Sequence, residues 1–177
     1  LNSNQSNIIV GGDSNHILSG YRSFIGGGTG ISVTGAYNAA IGGAANSLSG
    51  ISNVIAGGYS NGILGTKYSF IGGGQANVIR PDCNWGAIGG GSSNEAQGGD
   101  YQTIGGGQIN GVTGNYSTVG GGSQNKVFQE QSAIFHGYYN NLSGTQSFIG
   151  GGATNNLSGN QNVLVGGVTN SLTGLRS

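Results

Sequence analysis

The sequence predicts an all-β fold, a repeat β-solenoid or β-roll of about eleven coils of about fifteen residues, with residues 1–177 forming a single domain. Three observations lead there. Glycine supplies 41 of the 177 residues while proline supplies one and charged residues only 6%, far outside the usage of a globular domain. An apolar residue followed by glycines returns at a nearly fixed interval. A second apolar residue follows the first after eight positions, with an asparagine between them. Composition alone would fit a flexible low-complexity chain, but Ile, Val, Leu and aromatic residues in fixed phase argue for order.

The first strand of each coil is marked by the apolar residue directly before the glycines. These anchors are Ile9, Ile25, Ile41, Ile55, Ile71, Ile88, Ile104, Val119, Ile134, Ile149 and Leu164, spaced by 16, 16, 14, 16, 17, 16, 15, 15, 15 and 15 residues. The second strand is marked by Ile17, Val33, Ile63, Ile79, Val112, Val127, Leu142, Leu157 and Leu172, with Leu48 one place early and Ala96 as the small member. Each coil thus points two side chains inward. Between the strands an asparagine sits six residues after the anchor, from Asn15 through Asn61, Asn77, Asn94, Asn110, Asn125, Asn140 and Asn155 to Asn170, and five after it at Asn46. At a fixed position such a residue bonds its copy in the next coil or occupies a left-handed corner. Glycine two places after the second apolar residue, as at Gly35 and Gly50, suits a corner because it accepts positive φ. No stretch has 3.6-residue periodicity, and glycine every few residues disfavours helix. Coils stacked about 4.8 Å apart give a thin rod roughly 50 Å long.

Side chains alternate along a strand, so the residue before each anchor faces outward. That column reads Ile8, Phe24, Ala40, Val54, Phe70, Ala87, Thr103, Thr118, Ala133, Phe148 and Val163. A mostly apolar stripe of this length predicts burial against a partner, and self-association is the reading preferred here, with Ile8, Phe24, Val54, Phe70, Phe148 and Val163 as the subunit interface.

The segments "NYSTVGGGSQN" and "TQSFIGGGATNNLSGNQNVLVGG" resemble the head repeats of trimeric autotransporter adhesins, the YadA-like family, whose motif has the form S-x-A-I-G-x-x-(A/S/N)-x-A-x-G-x-x. The resemblance covers nearly the whole chain, and Gly-rich repeats of bacteriophage tail-fibre proteins are similar too. It implies a left-handed parallel β-roll, three chains packed along an axis, and binding of host or surface molecules. The chain differs from the bacterial pattern in its triple glycines, its asparagine column and its longer coils.

The same residues argue against several chemistries. Five acidic and five basic side chains are scattered singly, so no basic stripe faces nucleic acid, and no run of 18 apolar residues or leader pattern provides for membrane insertion. The glycine runs lack the Lys-Ser/Thr of a phosphate loop, and five acids cannot supply a calcium ladder coil by coil. His16, His136 and Cys83 have no metal-ligand spacing, and no Ser, His and acid set forms a triad. No cofactor and no catalysis are expected.

A fold built by repetition places special surface where the repeat breaks. One break is "NVIRPDCNWGAIGGG", with Arg80, Asn84 and Trp85; the other is "SAIFHGYYNN", with His136, Tyr138 and Tyr139. Aromatic rings beside amides suit a sugar, which makes these six residues the candidate contacts for a surface receptor or glycan. Tyr37, Tyr68 and Tyr116, directly before first strands, are expected to cover coil edges. The expected role is a homotrimeric extracellular module, at a cell surface or in a virion fibre, for adhesion and receptor binding; a ligand-free spacer and an ice-binding solenoid are the alternatives. The chain begins and ends within the repeat, the expectation for a segment of a longer fibre.

Overall fold

In the computed structural model, which describes residues 6–174, the chain winds into parallel β-coils with no helix. Two 11-stranded parallel sheets run the length of the rod, each strand pairing with its counterpart one coil away. The first sheet is built from two-residue strands such as Phe24–Ile25 and Ala133–Ile134. The second holds strands such as Ser32–Ala36 and Lys126–Val127. A third ladder of single parallel bridges, from Asp13–Thr29 to Ala153–Val168, closes the side between them.

Both sheets send one column inward. Ile25, Ile55, Ile71, Ile88 and Ile104 from the first, and Val33, Leu48, Ile63, Val112 and Leu142 from the second, are completely or almost completely shielded in one continuous core. The core is one or two side chains wide, so burial of apolar surface alone would stabilise it poorly, and side-chain hydrogen bonds supplement it.

The asparagine column forms those bonds. The Asn110 side-chain N–H groups donate to Gly106 O in its own coil and to Gly122 O in the next, both at 2.9 Å, while its Oδ1 accepts from the Asn125 backbone N–H at 3.0 Å. The same pattern surrounds Asn61, Asn77 and Asn94, all buried. Of the two expected roles, bonding to the next coil is the one realised. The left-handed corner belongs to the residue before each asparagine, among them Ser60, Ala76, Ser93 and Gln124. In the second coil Ile31 takes the asparagine position and is fully buried.

One anchor is corrected. Ala40, not Ile41, pairs with Ile25 and Ile55 and is buried, whereas Ile41 is exposed. The asparagine ladder sets this register, since Asn46 bonds Gly42 O and Gly58 O. With Ala40 as anchor, Asn46 falls six residues on and Leu48 eight, so neither is displaced. The expected outward place of Ala40 passes to Ala39, which pairs with Phe24 and Val54. Corrected coils measure 16, 15, 15, 16, 17, 16, 15, 15, 15 and 15 residues, and in all of them the anchor-to-second-apolar arc stays at eight. Every length change falls on the return arc, where the register shifts at Leu18–Tyr21 and Leu48–Gly50 and where Arg80–Cys83 are accommodated.

Candidate functional site

The outer face of the first sheet has two columns. The column before the anchors is the expected one. Ile8, Phe70, Phe148 and Val163 are exposed on it, and Phe24 and Val54 are half-buried. The column after the anchors was not anticipated, because glycine occupies most of it. Val10, Ile41, Phe135 and Val165 stand there exposed, Val165 by 81%. Neither column contains a charged residue.

Glycines extend this face along the chain. In the triplet Gly105–Gly107, a Cβ on Gly105 would collide with Gly120 O, and one on Gly107, at φ 90°, would collide with Gly122 O. A Cβ on Gly106 would meet only Gly90 O, at 3.9 Å. Gly42 and Gly57 hold the same middle position and a Cβ there would meet nothing within 4 Å. His136 occupies this position in its own coil, so the backbone accepts a side chain there. At Gly42, Gly57 and Gly106 nothing within the chain requires glycine, although each loses more entropy on folding than alanine would, whereas Gly27 and Gly73, at φ 159° and 154°, hold backbones that favour glycine.

The six candidate recognition residues do not converge. Trp85 lies in an aromatic ladder at the return corner, stacked between Tyr68 at 5.3 Å and Tyr101 at 4.8 Å, with Tyr116 a further 5.0 Å from Tyr101. Both faces of the indole are thus occupied, and its edge is what meets solvent. The four rings share left-handed backbones, φ 55–59°, which aim them alike in successive coils. Gln131, Gln146 and Gln161 continue the column through amide-to-amide bonds of 2.9 and 3.0 Å. The expected edge-covering tyrosines Tyr68 and Tyr116 belong to this ladder, whereas Tyr37 packs edge-on against Tyr21. Tyr101 was the missed member; its position two residues before the strand Thr103–Ile104 is the signal that places it there.

Asn84 is committed to the fold, its N–H groups donating to Asp100 and its Oδ1 accepting from the Lys67 backbone. Arg80 pairs with Glu95 across neighbouring coils on the second sheet. His136 follows the first sheet, and Tyr138 and Tyr139 occupy the bridge corner, ring centroids 5.8 Å apart. Cys83 turns into the core, where its Sγ lies 3.4 Å from Gln102 Oε1; burial, reinforced by Asp100, pushes the thiol up to about 12. Among the described residues no three His, Cys, Asp or Glu side chains gather as a metal site, and no helix is long and apolar enough to cross a membrane.

No family model and no curated protein matches the chain.

Proposed function

We propose that the chain is a homotrimeric fibre module which serves attachment at a cell surface or on a virion, with the outer face of the first sheet turned toward the trimer axis. One observation carries this reading: two uncharged, partly aromatic columns adjoin a line of glycines, several of which, among them Gly42, Gly57 and Gly106, the isolated chain does not need. Glycine is the residue that lets another backbone come close. Exposed apolar surface of this extent is stabilised by burial in an oligomer. Left-handedness and three-fold packing follow the resemblance to adhesin heads, as does extracellular placement.

Recognition would then fall on the surfaces turned away from the axis, and the module is non-catalytic. Light scattering on the purified chain tests the assembly. A mass near three times 17.5 kDa is expected, and a stable monomer would overturn the reading. A ligand-free spacer makes the same assembly but holds no ligand, which a binding measurement separates.

A further inference from the structure

The corner between the bridge ladder and the outer face of the second sheet carries a cavity of about 370 Å³ lined by Ile109, Gln124, Lys126, Phe128, Tyr139 and Asn141. Three features distinguish it from the rest of the rod. The Gln124 side-chain oxygen is shielded from solvent and has no hydrogen-bond donor, and a buried acceptor left in this state costs about 1–3 kcal/mol. Lys126 makes no ion pair among the described residues. Ile109, held at φ 56°, is the one large aliphatic side chain at a corner where the other described coils place Gly, Ser, Ala, Gln, Tyr or Thr.

We infer that this cavity binds an acidic carbohydrate, a sugar ring that carries a carboxylate. With the Gln124 side chain turned so that its amide opens into the cavity, a sugar hydroxyl donates to its oxygen, the ammonium of Lys126 meets the carboxylate, and Phe128 and Tyr139 cover the apolar C–H face. Asn141 offers a further amide at the wall. The cavity runs on into a smaller one through Lys126 and Phe128, over the bare backbone of Gly111. That one, which Glu95 also lines, continues through Gln97 and Thr113 to a third beside Arg80, Pro81 and Asp82; Arg80 is already paired with Glu95, so the contact to a sugar carboxylate is confined to the Lys126 end. The trough follows the rod axis across successive coils and so fits an oligosaccharide better than a single sugar. Two of the sequence's irregular segments meet it, at Arg80 and at Tyr139. The inference rests on the attachment reading, yet it uses the sheet whose outer face points away from the proposed trimer axis.

The test is calorimetric titration of the intact chain with tetragalacturonate, with maltotetraose as the neutral sugar and tetraglutamate as the acidic peptide. Tetragalacturonate should bind at least tenfold more tightly than either control. Lys126→Gln should remove about tenfold of that preference, and Tyr139→Gly, which relaxes the positive φ at that position, should weaken both sugars. Circular dichroism and solution mass identical to the parent show that the variants fold. No binding of tetragalacturonate overturns the inference; equal binding of maltotetraose removes its acidic part, and equal binding of tetraglutamate its sugar part. Light scattering on the same sample keeps the two proposals apart, since a trimer without binding sinks only the sugar site and a binding monomer sinks only the assembly.

Discussion

The adjacent glycines Gly106 and Gly107 answer to separate constraints, and substitution can read both. Gly107→Ala puts a Cβ against Gly122 O at positive φ, and is expected to destabilise the rod by about 3 kcal/mol or more in thermal unfolding. Gly106→Ala is expected to leave a dissociated chain as stable, or more so by about 0.5–1 kcal/mol, while it lowers the mass seen by light scattering. Asn110→Ala strips partners from Gly106 O, Gly122 O and the Asn125 N–H, and a loss of about 3 kcal/mol or more should appear in chemical denaturation. At Cys83 the sign follows from burial of the thiol. Its pKa rises from 9.0 to about 12 on folding, so the unfolded chain loses the proton first, and stability falls as pH climbs from about 9 to 12. Cys83→Ala should remove that part of the alkaline slope in denaturation curves compared at pH 8 and 11.

At the scale of strands and ladders, the sequence displayed the coil count, the two inward columns and the asparagine column, because each is a periodic apolar or amide choice. It misplaced the third anchor because "NAAIGG" offers three apolar residues in a row, and hydrophobicity alone cannot choose among them. The hydrogen bonds of Asn46 make the choice. The aromatic ladder was only half visible for a related reason. Tyr68, Trp85, Tyr101 and Tyr116 are 17, 16 and 15 residues apart, so their alignment emerges only once the variable arc is laid out in space. Of the trough proposed for an oligosaccharide, only Arg80 and Tyr139 were legible, as members of the irregular segments; the rest depends on a shielded amide oxygen and on an absent side chain at Gly111. Trp85→Ala removes two stacked pairs, which predicts a loss of about 1–3 kcal/mol by thermal unfolding, with sugar binding unchanged.

For the whole molecule, charge divides the surface. The ionic side chains sit outside the two columns of the first sheet, and the chain as a whole is neutral. Assembly through an uncharged face is insensitive to screening, so the solution mass should stay constant between about 0.05 and 1 M sodium chloride, while binding of an acidic oligosaccharide at Lys126 weakens over the same range. A mass that falls with salt would place ion pairs in the contact and refute the assignment of that face. The constancy of the eight-residue arc has a consequence for how such a rod tolerates change. The return arc absorbs from seven to nine residues without altering which residues pair on the first sheet, while the second sheet shifts register at Leu18–Tyr21 and Leu48–Gly50. Side by side in one coil, the chain keeps a gauge of fixed length and a slack of adjustable length. A foreign peptide spliced between Arg80 and Asn84 would lengthen the slack and leave the gauge as it is, so the rod can change what it displays without changing the face proposed for assembly.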